Sequence, residues 1–192
     1  MDQNKGFVKT LKDYIPYNEQ ERSDKEMILR FLKEGESVYF RENQAAHMSA
    51  SGWILNQTHD RILMAYHNIY NSWAWTGGHA DGETDLLSVA IREAKEETGI
   101  VTVKPLLEEP FSIEVLTVDG HEKRGKYVSS HLHLNITYLL EADDREKIQK
   151  KADENSGVDW FSIADCQNKV SEPWMKKRIY QKLFDKMAII FE

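Results

Sequence analysis

Between Leu86 and Thr98 the chain carries the periodicity of one amphipathic helix, and segments with the pattern of β-strands stand both before and after it. Leu87, Ile91 and Ala94 fall on one stripe, and Gly99 is a natural stop. Before the helix, His47 to Leu55 and Arg61 to Tyr66 are predicted strands around the polar turn Asn56 to Asp60, and Trp73-Ala-Trp75 continues in extended form into Gly77-Gly78. After it, Ile113 to Val118 and His131 to Leu140 are predicted strands separated by a polar, basic turn from Gly120 to Lys126. Strands on both sides of one central helix predict an α/β sandwich with a mixed sheet, not a regular parallel repeat. Asn18 to Lys33 holds an apolar cluster, Met27, Ile28, Leu29, Phe31 and Leu32, and is predicted to be a helix ending near Gly35. Asp143 to Gly157 reads as a charged loop or partial helix, Val158 to Phe161 as a short strand and Pro173 to Met187 as a closing helix. The expected division is a helical extension over 1–44 and a main domain over 45–192.

With 192 residues, 41% of them hydrophobic, the chain can bury a substantial core. A net charge of −7 argues against broad electrostatic capture of a nucleic-acid polymer or an acidic membrane, so any grip on phosphate must be local. There is no run of about 20 apolar residues, and Met1 to Thr10 lacks the apolar centre of a signal peptide. A cytoplasmic protein is expected. The single cysteine, Cys166, cannot form an intramolecular disulfide and reads as a small structural side chain.

Arg92-Glu-Ala-Lys-Glu-Glu-Thr-Gly99 puts Glu93, Glu96 and Glu97 on neighbouring positions of a helix. At ~6 Å and an effective dielectric of ~20, each like-charged pair costs about 3 kcal/mol, less where water screens it. Glu96 and Glu97 also sit in the last turn, where the helix dipole disfavours anions. A divalent cation resolves both conflicts, and hard oxygen donors suit Mg²⁺ or Mn²⁺. Taken alone, the same three residues also fit a solvated acidic face, because 30% of the chain is charged.

The residues around them narrow the choice. The run from Gly77 to Ile100 resembles the Nudix box: a glycine, an acidic residue, then Arg-Glu, Glu-Glu, Gly and an aliphatic. The resemblance implies a Nudix-type α/β/α sandwich and a pyrophosphohydrolase in which water attacks phosphorus in line. Gly78 would be the opening glycine and Arg92 the arginine that orients the carboxylates. Glu93, Glu96 and Glu97 would be metal ligands, with Glu93 and Glu97 the candidates for general base. One position departs from the pattern: the family's first glutamate falls on Thr84, flanked by Glu83 and Asp85, either of which could serve from a shifted loop. Glu114 and Glu154, outside the box, are further candidates for a ligand or base and otherwise ordinary surface acids.

His131-Leu-His133 on a strand turns two imidazoles to one face, a spacing that can chelate a metal or simply be the polar side of an amphipathic strand. His47 to Asn56 and Trp75-Thr-Gly-Gly-His79 resemble segments of isopentenyl-diphosphate isomerase, a Nudix-fold enzyme. Its metal site implies histidine ligands at His47 and His79, and its paired glutamates would fall on His131 and His133. These four histidines are therefore expected to form a second, transition-metal site. Where that enzyme has its catalytic cysteine this chain has Gly77, which argues against the isomerase activity.

Trp73, Trp75, Tyr66 and Tyr70 surround the approach to the box and could stack a base or serve as core. Lys123 and Arg124, with Lys126, could clamp phosphates from a glycine-bounded turn. The expected partner is a small phosphorylated substrate, and a homodimer through the apolar N-terminal helix is expected. Three readings compete: a metal-dependent diphosphate hydrolase, an isomerase-like enzyme using the histidines, and a non-catalytic ligand-binding module, which would have no need for Glu93, Glu96 and Glu97.

Overall fold

The computed structural model describes residues 2–68, 71–123, 125–151 and 155–191. The chain begins with helices α1 (Asp2–Asp13) and α2 (Glu19–Glu34) and a 3-10 turn, Glu36–Tyr39. Strands β1 (Ala46–Leu55), β2 (Arg61–His67), β3 (Ser72–Ala74) and β4 (Thr76–His79) follow, then helix α3 (Leu86–Thr98). Strands β5 (Lys104–Pro105), β6 (Ser112–Val118), β7 (His121–Lys123), β8 (Lys126–Val128), β9 (His131–Glu141) and β10 (Asn155–Ser162) lead to helices α4 (Ile163–Lys169) and α5 (Gln181–Phe191).

Among the described residues, eight strands form one mixed sheet in the order β10-β2-β1-β9-β5, with β3 on β2, β4 on β1 and β6 on β9. The long pairing of β1 with β9 is parallel, from Ala46 opposite Leu132 to Leu55 opposite Glu141. β1 is buried along its whole length, so its alternation separates two kinds of interior instead of core from solvent. Ala46, Met48, Ala50 and Ile54 meet Leu86, Val89, Ala90 and Ala94 of α3 in one apolar cluster. From the other face, Trp53 and Leu55 pack with Cys166 of α4 and Leu183, Phe184 and Met187 of α5. The same face of β1 begins with His47, Ser49 and Ser51, all buried. This is the expected mixed α/β sandwich.

Several elements depart from expectation. α1 is absent from the sequence reading because Gly6 and a thin stripe of Phe7, Val8 and Leu11 give little local signal; its order comes from docking, with Leu11 fully buried in the main cluster. α4, seven residues long, is anchored by Cys166 and capped by Ser162, whose side chain accepts from the Asp165 N–H. The predicted turn from Gly120 to Lys126 contains a small hairpin, β7 with β8. β10 begins at Asn155, earlier than the expected Val158. The closing segment is π-helical over Met175–Tyr180 before α5, which runs on to Phe191.

α2 shields the outer edge of β6. Gln20 Nε2 donates to the Ile113 carbonyl at 3.2 Å, and Asp24 Oδ2 accepts from the Val115 N–H at 2.9 Å. An unpaired strand edge is a template for aggregation, and here helix side chains satisfy it. Beside this edge Glu114 corrects the sequence reading: it is no surface acid but fully buried. It accepts from Lys182 Nζ at 2.9 Å, from Thr137 Oγ1 at 2.8 Å, from Asn135 Nδ2 at 3.0 Å and from the Ser112 hydroxyl. Its oxygens are engaged in structure and have no room for a catalytic ligand role. Glu154 lies outside the described residues.

The same lysine, Lys182, lies 3.3 Å from Glu21, and Lys186 lies 2.9 Å from it, so α5, α2 and β6 are tied by buried charge. Burial pushes the Glu21 carboxyl upward, but Lys182 and Lys186 outweigh it and the net shift is below the ordinary 4.5. A depressed folded-state value contributes stability that is present above the unfolded value and lost as pH falls through the folded one. Glu21→Gln is therefore expected to lower neutral-pH stability by about 3 kcal/mol. In urea unfolding, the gap between wild type and variant should shrink as pH is taken below about 4.5. A gap that stays constant to the acid limit of folding would show that Glu21 does not carry this term.

Candidate active site and a histidine cluster

Asp85 starts α3 by accepting from the Ser88 N–H at 3.2 Å and from its hydroxyl at 2.7 Å. Glu83 Oε1 accepts from the backbone N–H groups of Thr84 and Asp85 at 2.9 and 3.0 Å. The two acids flanking Thr84 thus serve to shape the helix entry, a use of Asp that N-cap chemistry favours. At the other end Gly99 adopts φ 75°, in the left-handed region, and its N–H bonds the Lys95 carbonyl at 2.9 Å.

Leu86, Val89, Ala90 and Ala94 fix the buried side of α3, and Glu93 and Glu97 continue that side toward β4. Glu97 is buried, with Oε2 3.4 Å from the Gly77 N–H. The Glu93 side chain is 14% exposed and lies 3.2 Å from Arg92 Nη2. Burial raises its proton affinity above the ordinary carboxylate range despite the Arg92 guanidinium. Glu96 takes the rim: its side chain is 48% exposed, 3.9 Å from Arg92 Nε and 3.6 Å from Lys151 Nζ. The three glutamates therefore do not share one environment. Two are turned inward against a glycine strand, and the third is held outward between cations.

β4 comes this close because of Gly78. A Cβ there would fall 2.6 Å from Glu93 Oε2 and 2.8 Å from Oε1. Arg41, which carried no signal in the sequence, sits nearby in a bidentate pair with Asp81, Nε to Oδ1 being 2.6 Å. Its charge is felt at His47, His133 and Glu93.

The four histidines singled out above do meet. In the parallel register His47 stands opposite His133, and His79 on β4 stands opposite Ser49. Ring centroids are 5.0 Å apart for His47–His79 and His47–His133, 4.8 Å for His47–His131, 4.9 Å for His79–His133 and 5.1 Å for His131–His133. Burial, with the neighbouring imidazoles and Arg41, presses the pKa of His133 down to about 2, so this ring is neutral at physiological pH. Among the described residues, His47, His79 and His133 are the group of metal-binding side chains whose ligand atoms lie within 4.8 Å of one another.

The aromatic residues are packed. Trp73 meets Phe161 and Tyr66 edge-on at 4.7 and 5.5 Å, and Trp75 meets Tyr180 edge-on at 5.3 Å. Lys123 pairs with Lys126 across the hairpin; its side chain, Arg124 and Tyr70 lie outside the described residues. Gly78→Ala is expected to lower stability by about 1–3 kcal/mol through overpacking. Adding Glu93→Ala should recover most of that loss, since it removes the group in the way. Thermal unfolding of both single variants and the double would show this. Additive losses would mean that the contact between residues 78 and 93 is not the source.

Residues 45–183 match the family described as NUDIX domain. The chain is 23% identical over 144 residues to the probable DHNTP pyrophosphohydrolase of Lactococcus lactis subsp. cremoris, covering 74% of this chain and 82% of that one. Its fold is similar to a NUDIX family hydrolase from Clostridium perfringens, at TM-score 0.53 and 20% identity over 75% of this chain and 97% of that one. It is also similar to a C. elegans Ap4A hydrolase, at TM-score 0.51 and 19% identity over 75% and 96%. With the strand–glycine–helix arrangement above and a match over most of its length, the chain belongs to the NUDIX domain family.

Proposed function

We propose that this protein is a Mg²⁺- or Mn²⁺-dependent hydrolase that cleaves a diphosphate linkage in a small phosphorylated substrate. The observation that carries the reading is the inward placement of Glu97, buried, and Glu93, half-buried, against the backbone of Gly77 and Gly78. Carboxylates placed there are stripped of water, and the hard oxygen donor set of Glu93, Glu97 and, from the rim, Glu96 fits a hard divalent ion. When bound, such an ion supplies neutralisation of diphosphate charge and acidification of water. The remaining work belongs to the chain. Glu93 or Glu97 takes the proton of the attacking water as its oxygen bonds to phosphorus, and the bridging P–O bond breaks with its electron pair leaving on the departing phosphate. Arg92 holds Glu93 and Glu96 in place. Gly78, lacking a side chain, lets backbone approach the phosphates. Trp75, Lys123 and Arg124 are the proposed substrate contacts.

The relative's name, probable DHNTP pyrophosphohydrolase, favours a base-bearing nucleotide-like triphosphate over a simple diphosphate. A small substrate suits the net charge of −7 better than a nucleic-acid polymer. Among the described residues no helix is long and apolar enough to cross a membrane, which fits the proposed cytoplasmic site of action. The helices of 1–44 are proposed as an accessory segment that closes the β6 edge, and a homodimer remains part of the proposal. The isomerase reading loses ground on packing. A Cβ at Gly77 would fall 2.6 Å from Ser51 Oγ and 2.7 Å from the Ala50 carbonyl oxygen, so a cysteine does not fit there. Cys166 is buried beside Met64, its thiol pushed up to about 12 by burial.

A panel of nucleoside diphosphate derivatives and DHNTP, assayed for released phosphate or pyrophosphate, tests the proposal. Turnover should require added Mg²⁺ or Mn²⁺, and Glu97→Gln should lower kcat by about 10²–10⁴-fold. Equal turnover in the variant, or full turnover in excess chelator, would reject it.

A further inference from the structure

We propose that His47, His79, His131 and His133 form a closed, four-imidazole site for a divalent transition metal of the zinc class, separate from the carboxylates of α3. Four of the chain's seven histidines are brought from three strands to one sheet face by pairing alone. The His47 ring makes the argument specific. Its Nδ1 lies 3.1 Å from the Asn43 carbonyl, which can only accept, so Nδ1 carries the proton and Nε2 presents a lone pair. His47 is 4% exposed, and its Nε2 has no hydrogen-bond partner. A buried acceptor left without a donor calls for an explanation.

His131 repeats the arrangement. Its Nδ1 is 2.8 Å from the Ser129 carbonyl, which fixes the same tautomer and turns Nε2 inward. A backbone carbonyl holding one ring nitrogen so that the other faces inward is the usual support of a metal-binding histidine. His131 Nε2 lies 3.2 Å from His133 Nε2. Metal–nitrogen bonds of 2.0–2.1 Å in a tetrahedron put neighbouring nitrogens roughly 3.3–3.4 Å apart, so this pair already spans one edge. The ligand atoms of His47, His79 and His133 lie within 4.8 Å of one another, and His131, outside that group, reaches it at His133.

The donor set names the metal class. Imidazoles with no carboxylate among them favour zinc, cobalt, nickel or copper and give Mg²⁺ no hard oxygen. Arg41, the nearby cation, is bound in its pair with Asp81. Four protein ligands leave no open position, which makes the site a clip joining β4 to β1 and β9, one residue beyond Gly78. The inference does not depend on hydrolysis at Glu93 and Glu97.

The test uses untagged full-length protein, stripped with chelator and titrated with Co²⁺ and then Zn²⁺. Wild type should take up one equivalent of Co²⁺ with the intense visible bands of a four-coordinate ion, lose them to Zn²⁺ but not to millimolar Mg²⁺, and unfold at higher temperature with Zn²⁺. His79→Ala and His131→Ala should bind Co²⁺ about tenfold or more weakly and lose the thermal response, while Glu97→Gln keeps both. Circular dichroism of the metal-free variants separates lost binding from lost fold, and His133→Asn supplies a third variant if either fails to fold. No visible bands at one equivalent in wild type, or bands unchanged in the histidine variants, would overturn the proposal.

Discussion

The site depends on how closely α3 is seated on β4. The apolar stripe of Leu86, Val89, Ala90 and Ala94 draws the helix onto the sheet, and the missing side chain at Gly78 lets the Glu93 carboxylate occupy the space beside the strand. Neither feature would achieve this alone. A helix packed one side chain further out would leave Glu93 and Glu97 in water, where three neighbouring carboxylates are ordinary surface charge. Packed this close, two of them lose solvent, and a cation becomes the natural partner.

This arrangement also divides the metal-binding chemistry of the fold into two parts. Oxygen donors are on the helix, and nitrogen donors are on the opposite face of the strands it covers. Gly78 and His79, adjacent in β4, belong to one set each: Gly78 makes room for Glu93, and His79 joins the imidazole group. Between them and the C-terminal helix runs a buried polar band, in which Asn135 Oδ1 accepts from Ser49 and Ser51 at 3.1 and 2.9 Å and Glu114 meets Lys182. Polar groups at such depth are generally paired, and Ser49, Ser51, Asn135, Glu114 and Lys182 all are.

The parts of this that could be read in the chain are those set by short spacing. The helix from Leu86, its stop at Gly99 and the strands around it follow from periodicity and local chemistry. His131 and His133 share a face because they are two apart on a strand. Which glutamate is buried could not be read: adjacency on a helix is local, but the inward choice of Glu93 and Glu97 over Glu96 is made by where β4 lies. Glu114 was unreadable for the same reason, since its partner Lys182 is 68 residues further on. The meeting of His47 with His133 depends on the parallel register of β1 and β9, which is tertiary information. The roles of Glu83 and Asp85 became plain only with the helix entry in place.

The central claim, that the inward carboxylates of α3 hold a divalent ion against a bound diphosphate, is tested most directly by phosphorus relaxation. Mn²⁺ would be added to the protein with a methylene-bridged, non-hydrolysable nucleotide analogue and ³¹P relaxation followed. The account predicts strong enhancement at the phosphates on either side of the bridge in wild type, lost when Glu93 and Glu97 are both changed to Gln. Enhancement that is absent in wild type, or equally strong in the double variant, would contradict it.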